Sequence, residues 1–263
     1  MGHQMLTPDQ VDHFETFGFL VLKQVFSKDE VTTMRCEADE IMSEKRNGAP
    51  LDLNTRQAVQ PFFEYRPFLH SLIADDRIYG IAESILGDFF LIGTEGNLHV
   101  GQTCWHGGGD SYELLPSIKI GFYLEPLTKE TGALRVIPGT HKGEVGKRLT
   151  VLEDLGHQPD KKVWGMNQWD IPSVALESQP GDIVVFTESI YHSAWGGHAG
   201  RHQHAINFFK MPETQKQIDY VRGLYEGWTY ALHPATNNID HDNLRLRKLV
   251  APLVKWGFSP YEI

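Results

Sequence analysis

The amino-acid sequence predicts an α+β fold, mainly β, in which N-terminal helices support an antiparallel barrel or sandwich. Three observations predict this class. Helix-period apolar patterns with capping residues occupy residues 6–87. From about residue 88 to 212 they give way to short runs rich in Val, Ile, Phe and Tyr, separated by Gly and Pro turns. At 263 residues and 41% hydrophobic content, the chain can bury the core of one large domain, and we expect residues 1–263 to form it.

The first predicted helix is defined by its two ends. Thr7 is a suitable N-cap, Pro8 occupies the first helical position, and Gln10 stands three residues after the cap, as in a capping box. Gly18 ends the apolar helical pattern, since glycine readily adopts the left-handed conformation that closes a helix. The run FLVL, residues 19–22, then predicts a short buried strand.

Two further helices follow in the N-terminal part. Ser27 and Glu30 form a second capping-box pattern, and the apolar residues after it share one helical face. Residues 75–87 repeat the helical period, and Gly87 ends it. The N-terminal part of the chain is therefore predicted to be helical, with one short strand between its first two helices.

The remaining chain is predicted to contain the β core, a long insert and a C-terminal extension. Residues 144–180 show few strand-like runs, and an insert of this length is often a functional lid. Residues 213–263 show a mixed, mainly helical pattern that is clearest at 243–258. The predicted strand-bearing runs are 89–105, 117–127, 132–142, 181–197 and 201–211.

Composition excludes several classes of partner. With 34 acidic and 24 basic residues the net charge is −10, which disfavours a nucleic-acid surface because phosphate binding needs clustered basic residues. No apolar run approaches the roughly 20 residues that span a bilayer, and no secretory signal is evident. Two cysteines do not make a disulfide framework. We expect a cytoplasmic protein that binds a small molecule, and the sequence leaves its oligomeric state open.

Two histidines and one arginine stand out by position. His106 and His192 each lie where a β-type run meets a turn, so their imidazoles can converge on a metal at one rim of a barrel. Arg201 begins the next predicted strand after His192, and its planar guanidinium suits a carboxylate partner. The nearby cluster at 198–204 is not predicted to bind a metal, because His202 and His204 share a strand face without a third ligand.

Four motifs in order, FETFGFLVLKQVFSKDEV, GNLHVGQTCWH, TGALRVIPGTHK and GDIVVFTESIYHSAWGGHAGR, resemble the phytanoyl-CoA dioxygenase family of Fe(II)- and 2-oxoglutarate-dependent oxygenases. The resemblance implies a double-stranded β-helix, or jelly roll, and iron bound by a His-x-Asp…His triad. It makes His106 and His192 iron ligands and Arg201 the anchor of 2-oxoglutarate. It also implies that O2 is consumed while an unactivated C–H bond of a small molecule is oxidised.

The sequence departs from this family where the aspartate of the triad should stand, because that position is Gly108. In the hypothesis that we favour, chloride or bromide fills the vacant position, as in related iron halogenases with Gly or Ala there. Removing the carboxylate opens space and removes a negative charge. In a second hypothesis Asp110 or Glu113 supplies the carboxylate to a hydroxylase, since flexible glycines permit a shift. In a third the protein is an inactive binding module.

Other residues are candidates to complete the site. Thr131 and Lys119 are expected to hydrogen-bond to 2-oxoglutarate. The residues expected to line the substrate pocket are Trp105, Arg135, Trp195 and His99. For each of these, core packing or surface exposure is an equally reasonable interpretation of the sequence.

Overall fold

The computed structural model describes residues 6–107, 111–155, 158, 161–227 and 234–263. Within these residues, strands pair antiparallel in two sheets. The strands are β1 (Phe19–Leu22), β2 (Gln57–Val59), β3 (Phe89–His99), β4 (Thr103–His106), β5 (Ser117–Phe122), β6 (Thr131–Val136), β7 (Val174–Leu176), β8 (Ile183–Phe186), β9 (His192–Gly196) and β10 (Arg201–Lys210). The larger sheet has the order β1-β8-β5-β10-β3-β2, and the smaller has the order β4-β9-β6-β7.

Helices from the N-terminal and C-terminal parts of the chain flank these sheets. They are α1 (Pro8–Phe17), α2 (Lys28–Lys45), α3 (Pro67–Leu72), α4 (Asp76–Leu86), α5 (Ser111–Leu114), α6 (Gly143–Arg148), α7 (Gln215–Gly227), α8 (Thr236–Ile239) and α9 (Leu244–Lys255). Helices α1, α2 and α4 supply part of the main hydrophobic core, which they form with the inner face of the larger sheet. The predicted α+β class, with mainly antiparallel β structure and N-terminal helices, is confirmed.

Local chemistry accounts for the helix boundaries. Both predicted capping boxes are present: Thr7 with Gln10 at the start of α1, and Ser27 with Glu30 at the start of α2. Gly18 closes α1 with φ of 82°, a left-handed conformation that costs a residue with a Cβ about 1–2 kcal/mol. These ends follow from short-range hydrogen bonds, which is why the sequence predicts them closely.

Alternation along β10 separates the core from the site. His202, His204, Ile206 and Phe208 are buried on one side, where Ile206 and Phe208 join the main core. Because successive side chains of a strand point to opposite faces, the residues between them point toward the smaller sheet. Arg201 belongs to this second set and borders the cavity between the sheets. The larger sheet therefore has a helix-packed face and a cavity face.

The predicted insert packs on the smaller sheet. Leu152, Val163 and Ile171 form a buried cluster with Trp105 of β4 and Trp195 of β9. The insert also contributes β7, which pairs with β6. Its described residues thus bury aromatic side chains, and a lid function for this insert stays a prediction.

The C-terminal extension contributes to the cavity side of the larger sheet. Tyr220 of α7 stacks on Phe209 of β10, with ring centroids 6.5 Å apart and planes 9° from parallel. Helix α9 buries Leu253 in the same apolar cluster. No helix among the described residues has the length and apolar character needed to cross a membrane.

Candidate active site

His106 and His192 meet at the rim between β4 and β9. They are directly opposed in the antiparallel register, and their ring centroids lie 3.9 Å apart. Nδ1 of His106 is 2.8 Å from the carbonyl oxygen of Cys104, and Nδ1 of His192 is 2.7 Å from that of Ile190. A carbonyl only accepts, so each Nδ1 carries the proton, and each Nε2 keeps a lone pair for a metal.

Burial keeps this pair in the form that binds metals. Desolvation lowers the pKa of His106, and it lowers the pKa of His192 well below the ordinary value, with the neighbouring His106 charge acting in the same direction. Neutral imidazole is the metal-binding form, so at neutral pH no proton has to leave before a cation binds. The two side chains can therefore supply two of the ligands of a divalent metal such as iron.

The third protein ligand is not supplied by the part of the chain described. Among those residues, no group of three or more His, Cys, Asp or Glu side chains is placed to hold a metal. Gly108 and Asp110 lie outside the described residues, so the expectations for them stay predictions. Glu113 lies on α5, and its carboxylate accepts a hydrogen bond from the backbone N–H of Gly143 at 3.0 Å. This contact directs Glu113 toward the start of the insert.

Arg201 is buried without a carboxylate partner. Its residue is 2% exposed, and no salt bridge to any described acidic side chain is formed. Nη1 donates to the carbonyl oxygen of Gly101 at 3.3 Å, while Nε has no hydrogen-bond partner. Burial lowers the pKa of Arg201, yet a guanidinium remains charged at neutral pH. A buried, unpaired cation of this kind fits an anionic ligand, because leaving it alone is costly.

Glycines make room for this guanidinium. A Cβ placed on Gly197 would lie 1.9 Å from Arg201 Nη1, and one on Gly132 would lie 2.4 Å from the same atom. Both glycines have positive φ, at 89° and 96°. A side chain at either position would displace the arginine, and the positive φ would strain its backbone. Gly132 and Gly197 therefore form a cradle for Arg201 that requires glycine at both positions.

Two cavities meet at the histidines. An inner cavity of about 100 Å³ contains Arg201, and an outer cavity of about 780 Å³ opens beside it. His106 and His192 border both. The arrangement provides a small polar pocket on one side of the histidine pair and a space of ligand size on the other.

Lys119 also borders both cavities, but it is held by carboxylates. Its Nζ lies 2.7 Å from Glu95 Oε1 and 2.5 Å from Glu188 Oε1. Burial opposes charge at Glu95, yet Lys119 and Arg56 outweigh it and lower the pKa of Glu95 to about 2. The predicted contact of Lys119 with 2-oxoglutarate remains a prediction, since this ammonium already has two partners.

The structure brings His99 to the inner cavity and places Thr131 elsewhere. His99 borders that cavity, with Nε2 3.2 Å from Gln203 Oε1, and burial lowers its pKa to about 4. Thr131 is exposed, and its Oγ1 accepts from the backbone N–H of Thr128 at 2.8 Å. The neighbouring Gly132 is the residue of this strand start that borders the cavity.

The other three predicted pocket residues face the insert. Trp105 donates from Nε1 to the carbonyl oxygen of Gln168 at 2.9 Å. Trp195 packs edge-on against Trp169 at a centroid distance of 6.0 Å. Arg135 donates to the carbonyl oxygens of Lys129 and Trp169. None of the three borders the inner or the outer cavity, so the structure does not group them with the histidines.

Several cavity residues are absent from the sequence-based set, chiefly Arg56, Glu95, Glu188, Asn207 and Tyr220. The alternation of side chains along β10 could have predicted Asn207 as a cavity residue, because it places Asn207 on the same strand face as Arg201. Glu95 of β3, Arg56 beside β2 and Tyr220 of α7 reach the cavity through long-range packing, and no local sequence pattern identifies them.

These features define a class: a jelly-roll protein with two metal-competent histidines at a barrel rim and a buried arginine behind them. The comparisons agree with that class. The family model described as phytanoyl-CoA dioxygenase (PhyH) matches residues 14–202, and the chain belongs to this family. It is thus an enzyme of the Fe(II)/2-oxoglutarate dioxygenase type.

Relatives and solved structures agree on the fold. Ectoine dioxygenase of Sphingopyxis alaskensis is 25% identical over 224 residues, covering 71% of this chain and 70% of the relative. The crystal structure of apo EctD from S. alaskensis has a TM-score of 0.60 at 21% identity, covering 79% of this chain and 78% of that chain. HygX from Streptomyces hygroscopicus, solved with nickel and 2-oxoglutarate, has a TM-score of 0.64 at 18% identity, covering 79% and 88%. The predicted jelly-roll core is confirmed.

Proposed function

We propose that this protein uses Fe(II), 2-oxoglutarate and O2 to oxidise a C–H bond of a small molecule. The observation that carries the proposal is the histidine pair, with both Nε2 atoms available, between a small cavity ending at Arg201 and a larger one. His106 and His192 would hold the iron. Iron and 2-oxoglutarate, when bound, supply the oxidising power, and 2-oxoglutarate leaves as succinate and CO2.

The protein's own contribution is orientation. Arg201 would receive the far carboxylate of 2-oxoglutarate through a two-donor fork, and the cradle of Gly132 and Gly197 fixes where that fork points. The backbone carbonyls of Cys104 and Ile190 hold both imidazoles in one tautomer. The inner cavity suits the co-substrate, which leaves the outer cavity for the molecule that is oxidised.

For the outcome of the reaction, we infer halogen transfer. Gly108 stands where the family has its carboxylate, and Glu113 is engaged with Gly143. A site with two neutral ligands carries one negative charge fewer than the family triad, so a chloride or bromide ion meets less repulsion there. The retained histidines and Arg201 argue against an inactive binding module. Hydroxylation with Asp110 as the third ligand is the alternative, favoured by the position of Asp110 four residues after His106 in the sequence and by the ectoine dioxygenase relatives.

The test compares two carboxylates that follow His106 in the sequence, Asp110 and Glu113. Asp110→Ala should keep full iron affinity if halide completes the site, and should lose it if Asp110 is a ligand, because metal sites weaken steeply when a ligand is removed. Glu113→Ala is the matched control, since its carboxylate caps Gly143. Iron affinity is measured anaerobically with 2-oxoglutarate, with and without chloride or bromide.

Three results separate the hypotheses. Halogen transfer is supported if halide changes the absorption spectrum of the Fe(II) protein and Asp110→Ala retains its iron. Iron loss in Asp110→Ala together with indifference to halide would replace halogen transfer by hydroxylation. Failure of the wild-type protein to bind iron and 2-oxoglutarate, or to decarboxylate 2-oxoglutarate at all, would leave the binding module as the remaining function.

A further inference from the structure

The outer cavity has walls of two kinds. One wall belongs to the cavity face of the larger sheet and to the segment after β8, and it carries Lys119, Glu188 and Asn207. The other is apolar, with Phe209 of β10, Leu224 of α7 and the ring of Tyr220, which stacks on Phe209. A ligand that fits both walls has a polar group at one end and an apolar group at the other.

The polar wall has two carboxylates around one ammonium, with Arg56 acting on the Glu95 side. Lys119 is a single ammonium shared by the carboxylates of Glu95 and Glu188, at 2.7 Å and 2.5 Å. This trio carries a net charge of one negative unit. Glu95 is 6% exposed, accepts hydrogen bonds from Gln60 and Asn97 at Oε2 and pairs with Lys119 through Oε1, so it is the less accessible of the two carboxylates. The side chain of Glu188 is 31% exposed and borders the cavity, which makes it the accessible acceptor.

Asn207 adds a second acceptor beside it. Its Oδ1 is buried and has no hydrogen-bond partner. Asn207 is the direct cross-strand neighbour of Lys119, so it lies next to the acidic trio on the same sheet face. An unpaired buried oxygen costs about 1–3 kcal/mol, which a donor group on a ligand would recover.

Among the described residues that border this cavity, the other cation is Arg56, at the opposite edge of the sheet. Arg56 immediately precedes β2, the edge strand, and its Nε and Nη2 donate to Asn97 Oδ1 at 3.0 Å and 2.6 Å. Glu188 follows β8, which is four strands from β2 in the sheet order. At about 4.8 Å per strand these backbones are separated by about 19 Å along the sheet, so Arg56, whose charge lowers the pKa of Glu95, lies on the Glu95 side of the trio and Glu188 lies on the other side.

We propose that the outer cavity recognises a small molecule with a protonated amine, which pairs with Glu188 and donates to Asn207, and with an apolar group packed on Phe209, Tyr220 and Leu224. This inference names the substrate class and rests on the proposed function for its place in catalysis.

The experiment uses three probes of equal apolar size that differ in charge: 2-phenylethylamine, 2-phenylethanol and 3-phenylpropionate. Binding to the full chain is measured by isothermal titration calorimetry, both metal-free and with Mn(II) and 2-oxoglutarate. The amine should bind about tenfold or more tightly than the alcohol and the carboxylate, equivalent to about 1.4 kcal/mol. Glu188→Gln should remove this preference, and Asn207→Asp should increase it. Glu144→Gln, at a side chain 76% exposed on α6, is the control and should change nothing.

Equal binding of the amine and the alcohol, tighter binding of 3-phenylpropionate, or a preference that persists in Glu188→Gln would overturn the inference. So would absence of amine binding at about 10 mM. If Glu188→Gln proves unstable, Asn207→Asp decides, because added negative charge must strengthen amine binding. Failure to bind Mn(II) and 2-oxoglutarate refutes the proposed function alone, since the amine preference of the metal-free protein still decides the substrate class.

Discussion

Replacing Gly197 by Ala tests the cradle of Arg201 without touching the arginine or the histidines. The new Cβ would lie 1.9 Å from Arg201 Nη1 and 3.1 Å from Cζ. Real contacts of a Cβ essentially never fall below 3.0 Å, so Nη1 must move by about 1.1 Å or more. A charge-assisted hydrogen bond of about 2.7–2.9 Å does not survive a displacement of that size.

The magnitude follows from the hydrogen bonds at stake. A hydrogen bond to a charged group contributes about 1.5–3 kcal/mol, so the variant should bind 2-oxoglutarate about 10- to 150-fold more weakly. Backbone strain must be separated from this effect, because Gly197 has φ of 89°. Gly257→Ala provides the control, since Gly257 has φ of 83° and its Cβ would meet nothing within 4 Å.

The assay is calorimetric titration of 2-oxoglutarate into Mn(II)-loaded protein, with Mn(II) affinity measured separately. Both alanine variants should lose similar stability from the left-handed backbone, about 1–2 kcal/mol. Only Gly197→Ala should lose affinity for 2-oxoglutarate, and both should retain the metal. Equal 2-oxoglutarate affinity in the two variants would refute the assignment of Arg201 as the anchor.

Three further predictions concern the histidines and the arginine. His106→Ala or His192→Ala should lose metal binding and turnover together, and full iron occupancy in either variant would contradict the ligand assignment. Arg201→Lys should weaken 2-oxoglutarate binding about tenfold or more, because a point charge does not reproduce the two-donor fork, and unchanged affinity would count against it. Burial lowers the pKa of His99 and of His202 to about 4, so their stabilising effect is complete above pH 6.5 and is lost as pH falls toward 4. Each contributes about 3 kcal/mol at most, so urea unfolding of metal-free protein should show a steep loss between those pH values, less steep in His202→Gln.

The sequence predicts those parts of the fold that depend on short-range interactions. The caps at Thr7 and Ser27 and the stop at Gly18 are all confirmed, because each depends on residues within one helical turn. His202 and His204 do share a strand face as expected, with Nδ1 of the first 3.1 Å from Nε2 of the second. These features need no knowledge of distant residues.

Long-range contacts set the limit for the candidate site. Trp105 and Trp195 are next to or near the histidines in sequence, but the packing of the insert takes both to the other side of the smaller sheet. Conversely, Glu188 and Tyr220 border the outer cavity, although the sequence singles out neither residue. Proximity in sequence therefore misidentifies cavity residues wherever alternation along a strand turns neighbours to opposite faces.

The glycines after His106 do not all have the same explanation. Gly107 has φ of 126°, and a Cβ there would lie 2.3 Å from the carbonyl oxygen of Ile190, so backbone packing alone requires glycine at this position. Gly107→Ala should therefore destabilise the rim whatever the chemistry. Farther along the chain, Ser111 Oγ lies 2.7 Å from Ser189 Oγ, within hydrogen-bond distance.

Gly108 then provides the decisive comparison. If the absence of a carboxylate is what matters, Gly108→Ala should keep iron affinity and the response to halide, because alanine adds neither charge nor a ligand. Gly108→Asp should abolish the halide response, since its carboxylate would occupy the position of the anion and repel it. Iron affinity and halide-dependent absorption are measured side by side for both variants. A halide response that survives in Gly108→Asp, with the protein folded and iron bound, would show that the anion does not bind at this position, and the halogenase hypothesis would fail.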